Sequence, residues 1–132
     1  METVKKTRNK KGELHSYNDE PALITEKCKI WYKNGLKHRD GDKPAMVFDD
    51  GTNVWFKNGL QHRDNDKPAV VYFTGPSEWW FNDKFHRKNG PALIEPGFCV
   101  SYFQNNKPHR SDGPAIELIN GVTLWLIDGV GL

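Results

Sequence analysis

The chain has little cysteine, no long apolar run and no strong excess of charge of either sign. Two cysteines in a chain without a recognisable signal peptide predict reduced, buried thiols rather than a disulfide framework. No stretch approaches the roughly 18 apolar residues of a membrane-spanning helix, and no apolar segment follows the N-terminal lysines. These absences predict a cytoplasmic protein that does not insert into a membrane.

Positive charge is confined to one end of the chain. The formal net charge is +2, and its excess lies in a basic N-terminal arm, residues 1–11: Lys5, Lys6, Arg8, Lys10 and Lys11. The remainder holds 14 basic and 16 acidic residues. Proteins that bind nucleic acid by neutralising phosphates usually present a basic face across the fold. A nucleic-acid partner is therefore not expected.

The motifs of common enzymes are missing. There is no G-x-S-x-G, phosphate-binding loop, dinucleotide fingerprint, H-E-x-x-H or C-x-x-C. A catalytic site normally needs one unique constellation of perturbed groups, whereas acids and histidines recur periodically along this chain. We expect a protein without catalytic activity and without a cofactor.

An internal repeat dominates the sequence. The stretch W-Y-K-N-G-L-K-H-R from Trp31 returns as W-F-K-N-G-L-Q-H-R from Trp55, and weaker copies start at Trp79 and Tyr102. The repeat histidines stand at positions 15, 38, 62, 86 and 109, so the unit is 23 or 24 residues long. We predict a single repeat domain over 1–132, with five units ending near residues 26, 50, 74, 96 and 120 and a half unit over 121–132.

Two turn signals occur in each unit. The first is a pair that in nearly every unit tolerates the positive φ of a type I′ hairpin turn: Lys11-Gly12, Asn34-Gly35, Asn58-Gly59, Asn82-Asp83, Asn105-Asn106 and Asp128-Gly129. The second is Asp50-Gly51, Thr74-Gly75, Pro96-Gly97 and Asn120-Gly121. Between them lie short β-branched and aromatic runs without helical periodicity. We predict an all-β, antiparallel β-hairpin meander with two strands per unit, bent or bulged from His38 to Pro44 and at the equivalent positions.

This pattern resembles the MORN repeat, in the variant form W-Y-x-N-G-x-x-H-R-x-D-G-P-A of small proteins from tailed bacteriophages and giant viruses. The resemblance covers nearly the whole chain and implies a MORN-like β-hairpin array in a viral setting. It also implies scaffolding, protein contacts or phospholipid head groups as possible roles. Ordinary MORN units differ, because they carry a Y-x-G-x-W strand and a glycine after the histidine.

All five histidines stand in one repeat column, and arginines follow four of them: Arg39, Arg63, Arg87 and Arg110. Two strands per unit place neighbouring histidines about 10 Å apart, too far to share one zinc ion, so no metal site is expected. One interpretation is structural: each histidine bonds backbone or an aspartate in the adjacent unit, and each arginine pairs with a carboxylate such as Asp40, Asp64 or Asp112. The other is a row of donors offered to an anionic ligand.

Aromatic residues are unevenly distributed. Residues 72–103 hold nine of them, and Phe81 replaces a lysine seen in other units. Strand alternation places Trp79 and Phe81 on one face and Trp80 on the other. Either the array curls and buries both faces, or these rings form an exposed shelf for a partner or a base. The candidate residues for binding a ligand or partner are His62, Arg63, Trp79, Trp80, Phe81, His86, Arg87 and Arg110.

Three functions remain open at this point. The leading hypothesis is a non-catalytic binding protein of viral type that occupies a host protein or sequesters a small anionic ligand such as a nucleotide, thereby antagonising host defence. The second is a structural or assembly module whose units stack on themselves or on virion parts. The third is a phosphodiesterase-like enzyme using a His-Arg pair.

The C-terminal half unit is the most apolar part of the chain. A terminal repeat normally has a polar outer face, so this one needs cover, either from the array bending back or from a second chain. We predict a homodimer through residues 118–132, with an interface at Leu124, Trp125, Leu126 and Ile127. Cys28 and Cys99 stand three units apart, about 30 Å in a stacked array, so we predict two free thiols.

Overall fold

The computed structural model describes residues 3–132. This part of the chain contains twenty-one short strands, joined by turns and bends, and no helix. The first ten strands are β1 (Thr3–Lys6), β2 (Leu23–Thr25), β3 (Cys28–Ile30), β4 (Tyr32–Lys33), β5 (Leu36–Lys37), β6 (Met46–Phe48), β7 (Asn53–Val54), β8 (Phe56–Lys57), β9 (Leu60–Gln61) and β10 (Val70–Val71). The others are β11 (Ser77–Glu78), β12 (Trp80–Phe81), β13 (Lys84–Phe85), β14 (Leu93–Glu95), β15 (Cys99–Ser101), β16 (Phe103–Gln104), β17 (Lys107–Pro108), β18 (Ile116–Leu118), β19 (Thr123–Leu124), β20 (Leu126–Ile127) and β21 (Val130–Gly131). In this part of the chain no helix is long and apolar enough to cross a membrane.

Eleven strands form one antiparallel sheet in the order β1-β2-β3-β6-β7-β10-β11-β14-β15-β18-β19. Its register is regular: Ile30 lies opposite Met46, Met46 opposite Val54, and Val54 opposite Val70. The prediction of an all-β antiparallel hairpin meander is confirmed. Cys28 in β3 and Cys99 in β15 are six strands apart, about 29 Å at the usual strand spacing, and both are free thiols as predicted. Cys28 is buried, whereas Cys99 is only half-buried, so the prediction of two buried thiols is wrong for Cys99.

The remaining ten strands form five small hairpins, β4-β5, β8-β9, β12-β13, β16-β17 and β20-β21. A full unit such as β6 to β9 therefore has four short strands, and the prediction of two is wrong. The chain changes direction at the aromatic residue that begins each repeat copy, for example Trp31. The N–H of Trp31 donates to Ala45 of the long sheet at 2.7 Å, whereas its carbonyl accepts from His38 of the hairpin at 3.1 Å. One residue thus joins the sheet to the hairpin.

The hairpins turn at the predicted pairs. Both residues have positive φ at Asn34-Gly35, Asn58-Gly59, Asn82-Asp83, Asn105-Asn106 and Asp128-Gly129, as a type I′ turn requires. Lys11-Gly12 is the exception, because only Gly12 has positive φ there, at 83°. There the N–H of Asn9 donates to Glu13 at 2.9 Å and closes a longer loop.

Successive units stack through backbone bonds and a thin apolar core. The N–H of Gly59 donates to Lys37 of the preceding hairpin at 2.8 Å, and that of Asp83 donates to Gln61 at 2.9 Å. The alanine after each repeat proline is 0% exposed: Ala22, Ala45, Ala69, Ala92 and Ala115. Among the described residues no large side chain is fully buried. Most functional groups of the repeat therefore lie within reach of solvent.

The segment between histidine and proline lies outside the strands and bends, as predicted. In the first three units its direction is reversed by left-handed pairs, Asn18-Asp19, Gly41-Asp42 and Asn65-Asp66. The fourth and fifth units are one residue shorter here, and residues 88–90 and 111–113 contain no left-handed residue. This shortening changes which acids the arginines can reach.

Candidate functional site

The histidine column ties each unit to the next. Every Nδ1 accepts a hydrogen bond from a backbone N–H of the following hairpin, at 2.9–3.1 Å: His15 from Asn34, His38 from Asn58, His62 from Asn82, His86 from Asn105 and His109 from Asp128. An accepting Nδ1 leaves the proton on Nε2. His38 and His62 donate it to Asp40 and Asp64 at 2.8 and 2.7 Å, which lowers the pKa of both carboxyls.

Three of the four column arginines share one arrangement. The Cζ of Arg63 lies 3.8 Å from the ring centroid of Trp55, its Nε donates to Asp42 at 2.9 Å, and its Nη1 donates to the Pro68 carbonyl at 3.1 Å. Arg39 and Arg87 repeat this arrangement on Trp31 and Trp79, with Asp19 and Asp66 as acceptors. Each aspartate belongs to the preceding unit, so the ion pair joins two units.

The carboxylates expected for two of these arginines are wrong. Asp40 and Asp64 bind histidines, while Arg39 and Arg63 reach Asp19 and Asp42. The left-handed conformation of each partner aspartate, with φ of 54° at Asp42, directs the loop toward the next unit. Asp42 also accepts from Lys67 at 2.9 Å, and the two cations lower its pKa to about 2.

Arg110 lacks a carboxylate from the preceding unit. Its Nε donates to Asp112 of its own unit at 3.2 Å, and its Nη1 donates to Pro114 and Glu117 at 3.2 and 3.4 Å. The Asp112 side chain is 85% exposed. In the part of the chain that the structure describes, Nη2 of Arg110 has no acceptor, whereas Nη2 of the other three column arginines donates to the partner aspartate. Arg110 is thus incompletely paired.

The shortened loops explain this difference. Lys88-Asn89-Gly90 stands in place of the four residues Asp64 to Lys67, so neither acid of the third unit has a counterpart in the fourth. The short loop passes directly against the guanidinium of its own unit. A Cβ on Gly90 would lie 2.9 Å from Cζ of Arg87, so only glycine fits there while the arginine stays in place.

A cleft of about 550 Å³ lies between the fourth and fifth units, and we call it the fourth–fifth cleft. Its charged and amide side chains are those of Arg87, Lys88, Asn89, Gln104, His109, Arg110 and Asp112. Three permanent cations and one exposed carboxylate, Asp112, thus line the cleft; Arg87 and Arg110 also bind Asp66 and Glu117, which lie outside this lining. The equivalent cleft between the second and third units is about 160 Å³ and holds three acids, Asp40, Asp42 and Asp64, for its cations. The lining of the fourth–fifth cleft is therefore more positive than that of its equivalent.

Two of the predicted aromatic site residues are covered by the array. Trp79 lies under Arg87, with Cζ 4.0 Å from its ring centroid, and its Nε1 donates to the Asp66 carbonyl at 3.0 Å. Trp80 stacks on Phe85 with a centroid distance of 4.9 Å. Neither indole forms the open shelf that one interpretation of the sequence anticipated.

Phe81 differs from both tryptophans because it remains half exposed. Its ring contacts His62 at a centroid distance of 4.5 Å and a tilt of 52°, and 50% of the residue is exposed. It lines a cleft of about 350 Å³ between the third and fourth units, the third–fourth cleft, together with His86, Arg87 and Lys88. Of the eight predicted binding residues, six line this one cleft: Arg63, Trp79, Trp80, Phe81, His86 and Arg87.

The apolar half unit is open on the surface of the chain. Leu124 and Trp125 are 47% and 50% exposed, while Leu126 and Ile127 in β20 are half-buried. β19 is the last strand in the order of the long sheet. The array does not bend back over Leu124 and Trp125.

Comparison with known proteins adds no functional information. No protein-family model, curated protein or solved structure matches the chain. Among residues 3–132 no group of three or more His, Cys, Asp or Glu side chains is placed to hold a metal ion. The side chains of the clefts are the remaining basis for a function.

Five charged or amide residues of the fourth–fifth cleft were not among the predicted binding residues: Lys88, Asn89, Gln104, His109 and Asp112. The signal was present in the repeat alignment. The aspartates that pair with the arginine of the next unit are Asp19, Asp42 and Asp66. The fourth unit has no equivalent aspartate because its loop is one residue shorter. A missing acid in a repeated ion pair marks a candidate anion site as clearly as an added base.

Proposed function

We propose that the protein is a non-catalytic binding protein of viral type that sequesters a small anionic ligand in the fourth–fifth cleft. The observation that carries this proposal is the unpaired Nη2 of Arg110, at the one column arginine with no carboxylate from the preceding unit. An oxygen of a bound phosphate or carboxylate would accept from Nη2 of Arg110, in the way that a carboxylate oxygen of Asp66 accepts from Nη2 of Arg87. Charge-assisted hydrogen bonds of this kind are among the strongest in proteins.

The neighbouring lysine supports the same conclusion. Lys43 and Lys67 are neutralised by Asp19 and Asp42 at 2.7 and 2.9 Å. Lys88 lines the cleft and has no ion pair within the described residues. Arg110 and Lys88 together give the cleft two cations that lack an acid from the preceding unit, which favours a multivalent anion over a single carboxylate.

The viral setting of the proposal rests on the resemblance of the repeat to MORN-like proteins of bacteriophages and giant viruses. In that setting the protein works in the host cytoplasm, and sequestering a host nucleotide would antagonise a defence that depends on it. Sequestration needs affinity and no turnover, in keeping with an array that repeats one side-chain pattern and carries no known enzyme motif.

Titration calorimetry with inorganic pyrophosphate tests the binding. We expect Arg110→Gln and Lys88→Gln each to weaken it at least tenfold, because each removes a charged donor from the cleft. Lys67→Gln is the matched control, since Lys67 is already paired with Asp42, and it should bind like the wild type. Equal binding by all four proteins would overturn the proposal.

A loop graft provides a sharper test. Replacing Lys88–Gly90 by the sequence of Asp64–Lys67 would restore the acid that faces the next arginine. The graft should abolish pyrophosphate binding and leave the protein at least as stable to urea as the wild type. A folded graft that still binds pyrophosphate with wild-type affinity would count decisively against the site.

A second candidate, occupation of a host protein, is favoured by a different surface. Phe73, Phe98 and Ile119 are 70%, 61% and 73% exposed, and the N–H of Ile119 donates to Phe98 at 2.8 Å, so two of these apolar loops lie side by side. Exposed apolar patches commonly mark protein interfaces. Phe73→Ser with Phe98→Ser should remove a host protein captured by affinity purification and leave pyrophosphate binding intact; capture unaffected by both changes would exclude this surface.

A further inference from the structure

The third–fourth and fourth–fifth clefts share a wall. Arg87, Lys88 and Asn89 line both of them, so Lys88 stands between the positive cleft and the cleft that contains Phe81. Each full unit contributes two strands to the long sheet, so equivalent positions in neighbouring units are about 10 Å apart. One extended ligand can therefore occupy both clefts.

Coordinated changes distinguish this wall from the rest of the array. In the third unit Nζ of Lys57 donates to Asp64 at 3.4 Å. The equivalent residues of the fourth unit are Phe81 and Lys88. An ion pair within the third unit is thus replaced in the fourth unit by an aromatic ring and a cation, Phe81 and Lys88, which line the same cleft. Lys88 also stands at the position of Asp40 and Asp64, the acids that accept from Nε2 of His38 and His62. Nε2 of His86 therefore has no acceptor within the described residues.

Three aromatic residues line the third–fourth cleft, and Phe81 is the most exposed of them, because Trp79 and Trp80 are half-buried. The face of Trp79 is covered by Arg87, and Trp80 is stacked on Phe85, which stacks in turn on Phe103 at 4.3 Å. Phe81 has tilted ring contacts with His62 at a centroid distance of 4.5 Å and with His86 at 6.4 Å, and 50% of the residue stays exposed. A planar group entering this cleft would meet the Phe81 ring beside the cationic wall.

We infer that the anion of the proposed function is the phosphate end of an aromatic phosphate, of which a nucleoside diphosphate is the simplest type. The phosphates lie in the fourth–fifth cleft with Arg110 and Lys88, and the base stacks on Phe81 in the third–fourth cleft. The inference rests on the proposed function, because the phosphate end uses that site. Stacking of a base on an aromatic side chain is sequence-tolerant, so the inference names a class of ligand and not one base.

Calorimetry with ADP and pyrophosphate separates this inference from the proposed function. ADP should bind the wild type at least tenfold more tightly than pyrophosphate, in line with the usual contribution of one stacked base. Phe81→Leu keeps an apolar side chain and removes the ring, so it should erase the advantage of ADP while leaving pyrophosphate binding unchanged. Phe98→Leu, an exposed phenylalanine outside both clefts, is the matched control and should behave like the wild type.

Each result has a distinct meaning. If ADP and pyrophosphate bind the wild type equally, or if Phe81→Leu weakens both to the same extent, the inference is overturned and the proposed function stands. If neither ligand binds, the proposed function itself fails. A second variant, Phe81→Lys, restores the residue type of Lys33 and Lys57. It should lose the ADP advantage while keeping the wild-type unfolding midpoint in urea, which shows that the loss does not come from misfolding.

Discussion

The guanidinium of Arg63 lies over the indole of Trp55, with Cζ 3.8 Å from the ring centroid, and at the same time donates to Asp42 of the preceding unit at 2.9 Å. A planar, forked cation satisfies both contacts and a lysine cannot. Arg63→Lys should therefore lower the free energy of unfolding by about 1–3 kcal/mol, measured by urea denaturation. Arg8→Lys is the control, because Arg8 is exposed and donates only to the Gly12 carbonyl at 2.8 Å; a similar loss in both variants would contradict a specific role for the stacked ion pair.

Acid should weaken the contacts between units. The pKa of Asp42 is lowered to about 2, first by the hydrogen bond from Arg63 and then by that from Lys67. Because the folded pKa lies below the ordinary value of 3.8, this stabilisation is complete above about pH 4 and is lost as the pH falls toward 2. Urea denaturation between pH 5 and 2 should show the loss, and Asp42→Asn should show less of it. An unchanged pH dependence in Asp42→Asn, with Asp49→Asn as the exposed control, would disprove the assignment.

Gly90 and Arg87 should be energetically coupled. An added Cβ on Gly90 would lie 2.9 Å from Cζ of Arg87, which is held by Trp79 and Asp66. Gly90→Ala should cost about 1–3 kcal/mol of stability in the wild type and less than about 0.5 kcal/mol in an Arg87→Ala background. The measurement is a double-mutant cycle by urea denaturation.

Gly131→Ala is the control for this cycle, since its Cβ would meet nothing closer than 4.0 Å. Additive effects of Gly90→Ala and Arg87→Ala would mean that Gly90 is needed for its backbone and not for the room that it leaves the arginine.

Much of the fold was predictable because the same local signals recur in each unit. Asn-Gly and Asp-Gly pairs select type I′ turns through their tolerance of positive φ, and that preference is independent of tertiary context. The corner at Trp31 was not predictable in the same way. Strand-forming residues continue without interruption from β3 through Trp31 into β4. Only the tertiary hydrogen bonds of Trp31, to Ala45 on one side and from His38 on the other, separate the strand of the long sheet from the strand of the hairpin.

The site was predictable in part. Arg87, His86 and Phe81 stand out as repeat residues or departures from the repeat, and all three line one cleft. The pairing of Arg63 with Asp42 instead of Asp64 depends on the left-handed φ of Asp42, and the tripeptide Asp40-Gly41-Asp42 allows several turns. Once that pairing is known, the missing acid beside Arg110 follows from the sequence alone.

The homodimer predicted through residues 118–132 remains a proposal that the exposed half unit supports. Leu124 and Trp125 are 47% and 50% exposed on β19 and directly after it, at the end of the long sheet. An edge strand with apolar side chains pairs readily with its own copy, and a two-fold axis would cover both strands with the same contacts. Light scattering should give about twice the chain mass of 15.2 kDa. Trp125→Lys should halve the measured mass, while Phe98→Lys, which changes an exposed aromatic residue outside the half unit, should leave it unchanged. A wild-type monomer at high concentration would refute the dimer.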